Sequence, residues 1–254
     1  SQYLIMHSLM FRTEVLRRSG VRLPEHTFYV DNLFSYQPLP YVKGIYYMDI
    51  DLYHYYLGRE ERNQMRKILK EHQLAVSSML PAPGGGPGGN IASPCEKERQ
   101  WTIQYWKDCM DLGLEIGDCQ TLLCVCGWYG YGTRRKDAWS WAREGITQVA
   151  EYAASNGVTL MLEPTASDSN LVESCDDAIS MMEEINLDNV KLMFDTTHAL
   201  YRNEVPADYI YQMGKDLRHV HLADYDRKAP GTGGCDFVAI MQALKDIDYA
   251  GYVT

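Results

Sequence analysis

No apolar run in this chain approaches the ~20 residues needed to cross a bilayer, and no signal-peptide pattern is visible at its start. A cytoplasmic location with no membrane partner is expected. Positive charge is scarce. Lys and Arg number 24 against 34 Asp and Glu, for a net charge of −10, which disfavours a nucleic-acid backbone as partner. Regular cysteine spacing is also missing: the seven cysteines are odd in number and suit a reducing compartment better than a disulfide framework. Cys124 and Cys126 share a face of a strand-like run, lack zinc-finger spacing and read as buried thiols. No GxGxxG turn follows the first predicted strand, so a dinucleotide site gains no support. The glycine-rich stretch at residues 81–90 is not followed by GK[ST], so it is not a phosphate-binding loop.

What is present is a rhythm of strands and helices. Residues 3–11 form the first strand candidate, and 12–43 give no clear pattern apart from a short helix near 14–18. From residue 44 the alternation is regular. Strands are predicted at 44–49, 74–79, 121–126, 158–163, 190–195 and 217–222, and residues 251–254 open an eighth. Helices are predicted at 59–72, 96–116, 137–156, 176–185, 207–213 and 237–247. With 254 residues and 46% hydrophobic content, this order predicts an α/β protein with one (β/α)8 barrel domain over residues 1–254. Its N-terminal βα unit is atypical, and the chain stops in strand eight with no eighth helix. A doubly wound open sheet is the competing fold.

Three of these strands end in chemistry. Residues 158–163 (VTLMLE) deliver Glu163, residues 190–195 (VKLMFD) deliver Asp195, and the stretch HVHLADYDRKAPGTG at 219–233 begins with two histidines on one face. A buried strand seldom carries so many ionisable groups unless they are paired or hold a metal. Glu163, Asp195 and His221 make an O,O,N set suited to one divalent ion of the manganese, zinc or cobalt type, with positions left for substrate. Each residue also has a plainer reading. Glu163 could pair with a neighbouring cation, Asp195 could cap the helix that begins at Thr196, and His221 could be a core histidine. His219 lies one step deeper and is read as structural.

The motifs LEP at 162–164, FDTTHA at 194–199 and HVHLADYDRKAPGTG at 219–233 resemble the xylose-isomerase-like barrel superfamily. Within it they are most similar to the sugar epimerase and isomerase branch that includes D-tagatose/D-psicose and fructoselysine 3-epimerases. The resemblance runs from about residue 44 to residue 254. It implies that Glu163, Asp195 and His221 bind one divalent metal, manganese first and cobalt, zinc or magnesium as alternatives. A strand-eight Glu, in a pattern like GYVTxE, would fall beyond Thr254 as the fourth ligand. It further implies that His198 and Arg227 bind substrate, and that Asp168 replaces a substrate-contacting Glu whose aligned position is Ser169. His198 could instead be a helix-start histidine satisfied by backbone, and Arg227 a solvated cation or a partner of Asp224.

The implied activity is epimerisation or isomerisation of a ketose or keto-sugar conjugate. Glu163 would abstract the proton next to the carbonyl to give an enediolate. A lyase of the same family, a dehydratase or C-glycoside-cleaving enzyme, begins with the same step. An apurinic-site endonuclease and a non-catalytic sugar-binding protein are the more distant alternatives. The partner expected is a small sugar, in a homo-oligomer. The 81–90 loop is read as either a lid or a plain connector. Trp128, Tyr129 and Tyr131 could wall the pocket, while at least one of Trp139 and Trp141 is ordinary helix packing.

Overall fold

The structure, a computed structural model, describes residues 11–23, 30–44, 59–81 and 89–254. The predicted strands at 3–11 and 44–49 lie outside these residues, apart from Phe11 and Gly44, and so does most of the 81–90 loop. The chain divides into two compact units, one of Ser1–Arg59 with Gly84–Pro87, the other of Glu60–Pro83 with Gly88–Thr254.

In the first unit, α1 (Thr13–Ser19) ends on Gly20 in the left-handed region and α2 (Val30–Tyr36) follows. Phe11 meets the ring of Phe34 edge-on at 5.5 Å, and Gln37 donates to the carbonyl of Ser19 at 3.4 Å. The short helix predicted at 14–18 is α1.

The second unit carries α3 (Arg59–Glu71), α4 (Glu96–Gly117), α5 (Arg135–Ser155), α6 (Cys175–Ile185), α7 (Thr196–Tyr201), α8 (Pro206–Met213) and α9 (Phe237–Asp246). Its strands are β1 (Thr121–Val125), β2 (Thr159–Glu163), β3 (Val190–Asp195), β4 (Leu217–His221) and β5 (Tyr252–Val253). They form one sheet in the order β1-β2-β3-β4-β5, every pair parallel. Sequential parallel strands joined by helices, with no reversal of order, are the winding of a (β/α)8 barrel; a doubly wound sheet reverses at a switch point. The strand predicted at 74–79 is reduced to one bridge, Met79 to Leu122, with the Leu123 amide donating to the Met79 carbonyl at 2.9 Å. Residues 251–254 do open a strand, and the Thr254 amide donates to the Val220 carbonyl at 2.9 Å.

Side-chain alternation separates two apolar layers. Leu122, Cys124, Leu160, Leu162, Leu192, Phe194, Leu217 and Val220 pack beneath the helices in the main core with Trp106, Ile146 and Met181. Leu123, Val125, Met161 and Met193 form a separate buried cluster on the other face. Burying each such side chain is worth roughly 1.5–3 kcal/mol. The inner cluster shares its face with Glu163, which is in register with Val125, and with His219, which is in register with Met193. Apolar residues therefore fill this face lower down, and ionisable residues occupy it at the strands' C-terminal ends.

A register shift between β3 and β4 completes this arrangement. Leu192 pairs with Leu217 but Met193 pairs with His219, so Arg218 is the extra residue of a bulge. Arg218 turns outward, Leu217 and Val220 both reach the helix-side core, and His219 and His221 remain on the inner face. Strict alternation would have put Leu217 on the face of the histidines.

Candidate active site at the C-terminal ends of the strands

Glu163 and Asp195 are the last residues of β2 and β3, 6% and 3% exposed. His198 stands one turn into α7, with Nε2 3.7 Å from Glu163 Oε1. One ligand atom from each of Glu163, Asp195 and His198 lies within 4.8 Å of the others. His221, at the end of β4, places Nδ1 4.0 Å from Asp195 Oδ2. Both histidines thus border the carboxylate pair, and the tightest trio contains His198, whereas the sequence pattern pointed to His221.

The exposed Arg227 enters from the loop after β4. Its Nη1 is 3.2 Å from Asp195 Oδ2 and its Nη2 is 3.9 Å from Asp168 Oδ2. Asp168 in turn stands 3.9 Å from His198 Nε2. Of the two positions left open by sequence, Asp168 therefore lies beside the site. Ser169 is buried and structural, its hydroxyl donating to the Gly127 carbonyl at 2.5 Å and accepting from the Leu171 amide.

Asp195 serves two purposes. Its Oδ1 accepts the Thr197 amide at 2.8 Å and caps α7, while Oδ2 faces Arg227. The capping that sequence offered as an alternative to the functional reading thus coexists with it. Arg227 pairs with Asp195 and Asp168; Asp224, its other proposed partner, bonds to backbone. His198 Nδ1 meets both the Ser167 hydroxyl at 3.0 Å and the Ser167 amide at 3.4 Å. Accepting that amide leaves the proton of a neutral ring on Nε2, aimed toward Glu163 and Asp168.

The electrostatics follow from burial. Glu163 is pushed up to about 8, first by loss of water and then by the negative Asp195, with Arg227 pulling the other way. His198 is lowered by burial against the raising effect of Asp195 and Asp168. Burial likewise lowers His221, with Asp195 opposing. His219 is brought down to about 4 by burial and then by His221, whose ring it meets edge-on at 4.9 Å.

A divalent cation fits these donors. Two buried carboxylates come together from adjacent strands, and among the described residues the nearest basic partner of Glu163 is His198, at 3.7 Å. Such a pair is costly as two anions and is satisfied by a shared cation. Glu163, Asp195 and an imidazole are oxygen and nitrogen donors suited to manganese, cobalt, zinc or magnesium.

The surrounding loops are stitched together by residues that carry no signal of function in sequence. Asn90 Oδ1 accepts the Ala92 and Trp128 amides at 3.0 and 3.1 Å, and its Nδ2 donates to the Trp128 carbonyl at 2.8 Å. Gly127, with φ +84, passes so close that a Cβ there would sit 2.6 Å from Asn90 Oδ1. Asn170 exchanges two 2.9 Å bonds with the Tyr129 backbone. Trp128 and Tyr129 are half-buried above β1, while Tyr131 projects into solvent. Trp139 donates to Glu184 at 3.0 Å, and Trp141 lies under the Arg99 guanidinium, so both are packing residues.

Among the described residues, no helix is long and apolar enough to cross a membrane. Residues 43–254 match the family described as Xylose isomerase-like TIM barrel. A fructoselysine 3-epimerase of Escherichia coli is 26% identical over 197 residues, covering 75% of this chain and 71% of that one. An L-ribulose 3-epimerase of Mesorhizobium japonicum is 34% identical over 190 residues, covering 73% of this chain and 63% of the relative. In three dimensions, D-psicose 3-epimerase of Clostridium cellulolyticum, crystallised with D-tagatose, matches with a TM-score of 0.68 at 23% identity, over 85% of this chain and 70% of the other.

Proposed function

The chain belongs to the xylose isomerase-like TIM barrel family, and on that premise we propose that it is a divalent-metal-dependent sugar epimerase. Its substrate is a ketose or a keto-sugar conjugate, the class to which fructoselysine, D-psicose and L-ribulose belong. The observation that carries this reading is the buried Glu163–Asp195 pair on the inner face, beside Arg227 and His198. Metal ligation is assigned to Glu163, Asp195 and His221, and substrate contact to His198, Arg227 and Asp168.

A carbon-bound hydrogen beside a ketone is weakly acidic, so its removal needs a close base and stabilisation of the charge that forms on oxygen. Glu163 is the base. It is buried beside Asp195 and His198, and loss of water and the negative Asp195 raise its proton affinity in the metal-free chain, which strengthens it as a base. A divalent ion, when bound, supplies positive charge at the carbonyl and the adjacent hydroxyl. Arg227 and the Nε2–H of His198 donate to sugar oxygens and hold the reacting carbon over Glu163. Asp168 accepts from a sugar hydroxyl. Trp128 and Tyr129 shield the site from water. Glu163 keeps the abstracted proton, and inversion follows when a second acid on the face opposite Glu163, the place the resemblance gives to the strand-eight Glu, delivers a different proton to the planar enediolate.

The test is solvent exchange. The protein is incubated with Mn²⁺ in D₂O with D-psicose, L-ribulose or fructoselysine, and deuterium next to the carbonyl is followed by NMR. Exchange that needs metal and vanishes in Glu163→Gln supports the reading. Absence of exchange with every sugar, in protein that binds Mn²⁺, would refute it.

A further inference from the structure

The loop that carries Arg227 has almost nothing to hold it. Residues 225–234 are all exposed, so no buried side chain within that run anchors it. It also contains two consecutive residues in the left-handed region, Asp226 at φ +57 and Arg227 at φ +55, a conformation that non-glycine residues adopt only when held. One fully buried side chain stands at its root. Asp224 is 0% exposed and accepts four backbone amides from the loop. Its Oδ1 takes Tyr225 at 2.9 Å and Cys235 at 3.0 Å, and its Oδ2 takes Gly231 at 2.9 Å and Gly233 at 2.8 Å. Its own amide donates to the Lys228 carbonyl at 2.9 Å. The carboxylate therefore binds both ends of the excursion and closes it like a clasp.

We propose that Asp224 is the positioning residue for Arg227: by gathering four loop amides it fixes the guanidinium against Asp195, in the place where it meets the sugar. Nothing in Asp224 touches the reacting atoms, and the substrate part of this proposal rests on the epimerase reading. Gly233 is part of the device. A Cβ there would lie 2.5 Å from Asp224 Oδ1, so this residue must be small for its amide to reach the carboxylate. The charge of Asp224 is spent on backbone N–H groups, which leaves Arg227 free to pair with Asp195.

Two measurements test this. The first needs no substrate. Amide exchange by NMR in the metal-free protein should show Gly231, Gly233 and Cys235 protected despite their place in an exposed loop, and the protection should be lost in Asp224→Ala. β4 and α9 should remain protected, which reports that the variant is folded. Asp224→Asn, which keeps one acceptor oxygen, and Gly233→Ala should give partial loss. Rapid exchange of these amides in the wild type would overturn the proposal whatever the enzyme acts on. The second is a double-mutant cycle on D-psicose. Asp224→Ala should lower kcat/KM on the order of 10²-fold, mainly through KM, and should add little in an Arg227→Ala background. Defects that multiply would make Asp224 a general structural residue and overturn its role through Arg227. A wild type inert toward D-psicose would count against the epimerase reading alone, and the exchange measurement would still judge the clasp.

Discussion

Arg227 Nη1 lies 3.2 Å from Asp195 Oδ2, an exposed cation set against a carboxylate that is 3% exposed. The same guanidinium lowers the proton affinity of Glu163. One side chain thus balances both buried acids, although it arrives from a loop rather than a strand.

Replacing Arg227 by Ala should therefore move the pH dependence as well as the rate. Without that positive charge Glu163 holds its proton to higher pH, so the acid limb of kcat/KM should shift upward. The rate at neutral pH should fall on the order of 10²-fold. Arg227→Lys should restore part of the shift but less of the rate, because an ammonium is a point charge without the two-pronged donor face. A pH–rate profile of the three proteins checks both.

Glu163→Gln should stabilise the metal-free protein. The folded-state pKa of Glu163 is raised to about 8 from a reference of 4.5. Between those values the folded state holds a proton that the unfolded state has released, so stability declines as pH rises through this window. The penalty is fully present above pH 8, and Gln removes it. The gain should be on the order of a few kcal/mol at alkaline pH and vanish near pH 4. Mn²⁺ should raise the melting temperature of the wild type and do so much less in the variant. Calorimetry with and without the ion separates the two effects.

His219 has the opposite sign. Its folded-state pKa is lowered to about 4 from 6.5, so between these values the unfolded state binds the extra proton. Stability present above pH 6.5 is lost as pH falls toward 4. His219→Gln should flatten the fall in melting temperature across that window relative to wild type. An unchanged slope would mean that the ring is protonated without penalty.

Asn90→Ala should cost about 1–3 kcal/mol, since it leaves the Ala92 and Trp128 amides without their acceptor. It should also loosen Trp128, which would appear as increased quenching of tryptophan fluorescence by acrylamide. Denaturant unfolding gives the first quantity in the same samples. Loss of stability without greater quenching would confine the role of Asn90 to packing.

The parallel strands were legible because each is a short apolar run with a turn signal at its end, and β2 and β3 terminate within the predicted segments. The longer helices were legible from their period, with boundaries off by a residue or two: α5 begins at Arg135 rather than 137, because Arg134 in an extended conformation precedes the first turn; the seven-residue α2 was not. The strand at 74–79 was legible as a pattern only, since a single bridge to β1 is all the pairing it makes. Glu163 and Asp195 could be picked out because carboxylates at the ends of apolar runs are conspicuous, and His198 and Arg227 because the motifs around them resemble those of the family. Asn90, Ser167 and Asn170 were invisible as site residues. A side-chain amide whose partners are backbone groups 38 or 41 residues away, or a hydroxyl whose partner is a ring nitrogen 31 residues away, looks like any polar loop residue.

The sequence by itself determined the order of the elements, the alternating winding of strand and helix, and the chemistry placed at the ends of β2, β3 and β4, because these are local properties of period and residue type. Which groups meet was decided only in three dimensions. The bulge at Arg218 sets which way Leu217 faces, and the register of β2 against β3 sets the distance between Glu163 and Asp195. The four amides on Asp224 turn an exposed, glycine-rich loop into the support of Arg227. The first two depend on backbone hydrogen bonds between segments far apart in the chain, and such bonds use groups that every residue possesses and so leave no mark on its identity; the third needs a carboxylate that the sequence shows, but its amide partners are equally unmarked.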